Sequence, residues 1–178
     1  MSEGIELPEN EEHERHPLTV PVTVTIAIIA VLGAIVTLLG HRAHTEELLL
    51  QAKASDQWSY FQAKNIRLHE MEAVADMVNV LSPADKEKAA AIHEKYAKEA
   101  ERYEKDKDTI SEGAKDIEAE RDRIAQRADR FDGGEVLLEM GLVICSITLL
   151  TKKRLFWVGG ILVAATGVVM ALTGFLLH

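Results

Sequence analysis

Glu139 stands inside an otherwise uncharged apolar run, Val136–Thr151. A carboxylate within a membrane span is a candidate for handling protons or cations. If several chains assembled about an axis, a ring of Glu139 side chains would favour cations. The plainer reading is a boundary residue, four places after Glu135, that reaches interfacial water or a neighbouring span. His41 and His44 lie three apart, on one face of any helix, which suits a metal or a proton-sensing contact. Glu46 and Glu47 are close by, and His13 and His16 repeat the spacing. Two histidines do not define a metal site, and polar packing at the interface is the simpler role. Cys145, the one cysteine, excludes an intramolecular disulfide and reads as a small apolar packing residue.

No Walker loop, dinucleotide loop or zincin motif occurs, and no soluble cysteine is present to act as a nucleophile. The sequence argues against an enzyme and implies no cofactor and no small-molecule substrate. Net charge is -9 over 178 residues. With acidic residues in excess and signs interspersed, no basic stripe is left to neutralise phosphates, which argues against nucleic acid as a partner.

The elements that must position these residues follow from charge segregation. From Arg42 to Phe131 the chain carries 16 Lys/Arg and 20 Asp/Glu but one proline, Pro83, and one glycine, Gly113. So few breakers predict long helix. Leu18–Leu39 and Leu155–Leu177 carry no charge, and each exceeds the ~20 residues that cross a bilayer core. The expected organisation is a disordered acidic tail over 1–16, a first transmembrane helix over 17–40 and an extramembrane hairpin over 41–134. A second span over 135–151, a basic turn over 152–154 and a third span over 155–177 follow. The first span, preceded by an acidic leader, reads as a signal anchor. It runs on into one helix from about Leu18 to Leu81, roughly 95 Å long. Ser82 and Pro83 are expected to start a second helix, with Asp85 completing a capping box. Asp132-Gly133-Gly134 is expected to end it near Phe131.

Ala89, Tyr96, Tyr103, Ile110, Ile117, Ile124 and Phe131 recur at intervals of seven, as do Ala54, Phe61, Leu68 and Ala75. The fold class expected is therefore an all-α membrane protein, with three transmembrane helices and a long antiparallel coiled-coil hairpin between the first two. Folding at Ser82 places Ala75 level with Ala89, Leu68 with Tyr96, Phe61 with Tyr103 and Ala54 with Ile110. Ile124 then falls level with Gly40. Residues 125–134 must run sideways along the headgroups, or Gly113 must bend the helix.

Three small seams step by threes and fours: Gly160, Ala164, Gly167, Ala171 and Gly174; Thr23, Ala27, Ala30, Ala34 and Thr37; and Gly141, Cys145 and Thr148. Small seams let helices approach closely in lipid, within one chain or between chains. Trp58 and Tyr60, with Phe61 in the hairpin seam, are typical interface anchors. They point to contact with another copy or a partner membrane protein. The plainer reading is that they cover the second helix. Phe156 and Trp157 read as anchors at the bilayer surface.

The stretch from Ser55 to Lys64 (SDQWSYFQAK) resembles a bacterial family catalogued as domain of unknown function 4337. The basic-aromatic turn Lys152-Lys153-Arg154-Leu155-Phe156-Trp157 matches it too. The resemblance covers nearly the whole chain and implies a three-span bacterial inner-membrane protein with no assigned activity. Glu139 departs from it, standing where an uncharged polar residue is expected. The basic turn places itself and the N-terminus in the cytoplasm and the hairpin outside. The functional expectation is an oligomeric membrane scaffold or accessory subunit, with the lipid bilayer and other chains as partners. The alternative is an oligomeric channel with Glu139 near its pore.

Overall fold

Three helices make up the computed structural model, which describes residues 17–81 and 85–176. They are α1 (Thr19–Leu81), α2 (Lys86–Thr151) and α3 (Arg154–Gly174). No strand occurs among the described residues. All three helices are long and apolar enough to cross a membrane, the signature of a membrane protein. The acidic tail expected over 1–16, with His13 and His16, lies outside the described residues, as do 82–84, where the turn is expected, and 177, the expected end of the third span.

Local chemistry sets the helix ends. Pro21 falls in the first turn of α1, where a missing N–H costs nothing. Asp85 does more than complete a capping box: it is itself the cap of α2. Its Oδ1 accepts from the Lys88 N–H at 3.2 Å, and its carbonyl accepts from the Ala89 N–H at 3.1 Å. Between α2 and α3 the chain turns at Lys152, which adopts φ 56°. Its N–H donates to the Thr148 carbonyl at 2.8 Å. A residue in the left-handed region at this point closes the last turn of a helix.

The break expected at Asp132-Gly133-Gly134 does not occur, and α2 runs through it to Thr151. These glycines serve packing. A Cβ on Gly134 would stand 2.9 Å from the Gly167 carbonyl oxygen and 2.9 Å from the Ala171 Cβ. Gly133 likewise lies under Met170. A glycine costs about 1 kcal/mol in a helix interior, and close approach of a second helix offsets that cost.

The chain divides into two units, one comprising the residues up to Gly40 with Asp129–Leu176 and the other His41–Ala128. In the first, Val22, Ile29 and Val36 of α1, Phe131, Leu138 and Cys145 of α2, and Ala164 and Ala171 of α3 are buried. In the second, Leu50, Ala54, Leu68 and Ala75 of α1 are buried, with Ala100, Ala114 and Ala128 of α2. Ala54, Leu68 and Ala75 belong to the α1 repeat, and Ala100, Ala114 and Ala128 lie four places on from members of the α2 repeat.

The register differs from the expected one. A fold at Ser82 sets Lys64 level with Ala100 and Gln51 level with Gly113. Instead Lys64 Nζ donates to Asp106 Oδ2 at 2.7 Å, and Arg121 Nη1 donates to Gln51 Oε1 at 2.5 Å. In the other unit a Cβ on Gly40 would lie 3.5 Å from the Phe131 Cβ, not beside Ile124. The displacement is about one heptad. A heptad is self-similar, so a slip of one repeat keeps the same faces matched, and apolar spacing alone does not select among slips. The slip also removes the surplus at 125–134: these residues continue α2, and Phe131 is 1% exposed rather than laid along a surface.

Candidate functional site

In the span unit the site is built on glycine. Every member of the seam Gly160, Ala164, Gly167, Ala171 and Gly174 is buried. A Cβ on Gly160 would stand 2.8 Å from the Gly141 carbonyl oxygen, and one on Gly167 2.8 Å from that of Gly134. Gly174 lies against the ring of Phe131. These pairings run in opposite directions along α2 and α3. They set the α3 seam against α2 within one chain, the first of the two arrangements the seam allowed. Cys145 is 0% exposed in the same contact. The Trp157 indole N–H donates to Thr25 Oγ1 at 3.2 Å, so Trp157 ties α3 to α1 as well as standing beside the basic turn.

Around this core the carboxylates of α2 fare differently. Glu135 Oε1 accepts from the Thr37 hydroxyl at 2.7 Å. Glu139 is exposed, on the same surface as Val136, Met140 and Val143. Among the described residues no hydrogen bond or ion pair reaches it. Phe131 marks the level of the far end of α3, and Glu139 lies eight residues further along α2, about 12 Å deeper. The sequence placed it one turn inside the span, because a break was expected just before it. Exposed Thr23, Ala27, Ala30 and Ala34 show that the α1 small seam also points away from the other spans, while its last member, Thr37, faces Glu135.

In the charged unit the aromatic motif works inside the chain. The Trp58 indole N–H donates to Glu118 Oε1 at 2.8 Å, and its ring meets Phe61 edge-on at 5.4 Å. Lys64 Nζ lies 5.4 Å from the Tyr60 ring centre and 5.1 Å from that of Tyr103 while bonded to Asp106. That hydrogen bond raises the Lys64 pKa and holds the Asp106 carboxyl below its ordinary value. Trp58 and Lys64 thus bridge α1 to α2, and Tyr60 alone of the motif's aromatics is exposed, at 51%. Trp58 therefore covers the second helix, as the plainer reading has it.

His41 is exposed, and His44 Nδ1 lies 3.3 Å from Glu47 Oε2. Among the described residues no group of three or more His, Cys, Asp or Glu gathers to hold a metal. Two helices in a hairpin would be expected to meet along a seam with little enclosed volume. The seam instead opens into a groove of about 480 Å³, floored by Leu68, Ala75, Ala97 and Ala100 and rimmed by Glu72, Asp76, Glu101 and Glu104. The signal was the three alanines, which fill less of the seam than the aromatics nearby.

Residues 18–177 match the family described as Domain of unknown function (DUF4337). The chain belongs to this family. No curated protein and no solved structure matches the DUF4337 chain. The family description carries no activity, so the functional reading of this DUF4337 protein rests on its own geometry.

Proposed function

We propose that this protein is a non-enzymatic, oligomeric scaffold of the bacterial inner membrane, or an accessory subunit of a larger membrane complex. In this reading three spans hold it in the bilayer. The N-terminus and basic turn lie in the cytoplasm, and α1 and α2 form an antiparallel coiled-coil hairpin on the other side. The observation that carries the reading is the outward Glu139, about 12 Å inside the level of Phe131. A charged side chain at the middle of a span costs about 2.5–3.5 kcal/mol on insertion scales. Contact with another polypeptide that satisfies the carboxylate removes this cost. The exposed small seam of α1, Thr23 to Ala34, is a second surface fit for close helix contact.

The second reading is an oligomeric channel or transport component, and the same carboxylate favours it. Several copies with Glu139 turned to a common axis would form a cation-attracting ring. One set of measurements separates the two. A scaffold gives an assembly above the mass of one chain in mild detergent and no ion flux in liposomes. Glu139→Leu then weakens the assembly at least tenfold in detergent titrations. A channel gives cation flux that Glu139→Gln alters. A single chain with no flux contradicts both.

A further inference from the structure

The exposed surface of α1 between Thr45 and Ala73 is divided by charge. Thr45, Ala52, Ser59, Ile66, Ala73 and Val80 recur at every seventh residue; all are exposed and none is charged. Leu48, Ser55 and Gln62, three places after the first three, are also exposed and uncharged; from Ile66 on that position holds His69 and Asp76, so the strip is wider over its half nearer Thr45. Of the other eleven exposed residues from Thr45 to Ala73, six carry charge: Glu46, Lys53, Asp56, Arg67, Glu70 and Glu72. The stripe includes large apolar side chains left open, with Leu48 at 69%, Ile66 at 59% and Val80 at 82% exposed. Over the same level, residues 86–128, α2 leaves one large apolar side chain exposed, Ile92. A sustained seven-residue repeat is the geometry of helix pairing. One repeat of α1 is buried at Ala54, Leu68 and Ala75. The second lies on roughly the opposite face and packs on nothing among the described residues.

We propose that this stripe is a seam on which α1 of one chain packs in parallel against α1 of a second copy. The inference rests on the reading that the protein assembles with other chains, and it names the partner. Copies inserted in one bilayer share an orientation, so the same helix in neighbouring copies runs in the same direction. In a parallel, in-register pair each seam residue meets its twin. A lysine there would meet a lysine and a glutamate a glutamate, and both arrangements repel. A seam between identical helices must therefore be free of charge, whereas a seam with a different chain can set lysine against glutamate. Ala52, Ser59 and Ala73 let the backbones approach, and Leu48, Ile66 and Val80 supply the apolar surface.

Disulfide trapping in the full-length protein tests this. In a Cys145→Ser background, single substitutions Ala52→Cys, Ser59→Cys and Ala73→Cys are compared with Lys53→Cys and Arg67→Cys, all oxidised in lipid nanodiscs. The seam positions are expected to form same-residue disulfides at least tenfold faster than the controls. Ser59→Glu is expected to abolish cross-linking at Ala52→Cys and Ala73→Cys while helix content is unchanged. Equal rates at all five positions, cross-links only to another polypeptide, or cross-linking that survives Ser59→Glu would overturn the seam. The mass of the same samples separates the two readings. An assembly of copies with an unlinked stripe refutes this seam and leaves the scaffold standing; a single chain refutes both.

Discussion

In the span unit α2 and α3 meet backbone to backbone: a Cβ on Gly141 would stand 2.8 Å from the Gly160 carbonyl oxygen. In the charged unit α1 and α2 meet through long side chains that reach across: Trp58 to Glu118, Lys64 to Asp106 and Arg121 to Gln51. Water explains the difference. Outside the membrane, burial of Leu50, Leu68 and the alanines is itself favourable, by about 25 cal/mol per Å² of apolar surface. Lipid tails are as apolar as leucine, so helices gain from contact there only if they fit closely. The same helix, α2, therefore carries glycine where it faces α3 and charge where it faces water. Glu139 breaks this division, and it does so on the outer surface.

Substitution at the glycine contact is expected to have the largest effect. Gly141→Leu forces a side chain into the backbone of α3 and should cost about 3 kcal/mol or more. A Cβ on Gly159, in the same span unit, would meet nothing within 4 Å, so Gly159→Leu should stay within about 0.5 kcal/mol of wild type. Unfolding in mixed detergent, followed by helix content, compares the two. Equal losses would mean that close approach is not what holds the spans.

A smaller effect is expected in the charged unit. Trp58→Phe keeps the ring against Phe61 and removes the bond to Glu118, a loss of about 1–2 kcal/mol in chemical denaturation. It should leave the assembly mass unchanged. Dispersal of the assembly would instead place Trp58 between chains.

The smallest effect is a pH dependence. The Lys64 ammonium holds the Asp106 carboxyl below its ordinary value. A lowered carboxylate contributes stability that is fully present above its unfolded value and is lost as pH falls through the folded one. Asp106→Asn should therefore lower stability at neutral pH, and the difference should shrink as pH falls through the folded value of the carboxyl. A difference that persists in acid would mean that the contact with Lys64 is not its source.

The helices themselves were legible in the sequence, because charge and helix breakers are so sharply distributed. The heptad faces were legible for the same reason, since Leu68 and Ala75 could not be exposed at no cost. The register was not. A seven-residue repeat matches itself after any slip of seven, and only non-repeating contacts such as Gly40 with Phe131 select one. Gly133 and Gly134 misled because glycine both ends helices and lets them touch, and the partner that decides between these, α3, lies 33 residues on from Gly134 at Gly167. The depth of Glu139 followed from that misreading. The division of labour within the aromatic motif was hidden too, because the spacing of Trp58, Tyr60 and Phe61 does not show which ring finds a partner such as Glu118.

The central claim is that another polypeptide covers the outward carboxylate of the spans. The mass of the intact protein extracted in mild detergent or held in nanodiscs tests it most directly. The account predicts a whole multiple of the chain mass, or the chain with a second polypeptide at fixed ratio, and a shift toward single chains with Glu139→Leu. A wild-type protein that remains a single chain at every concentration and lipid composition would contradict it.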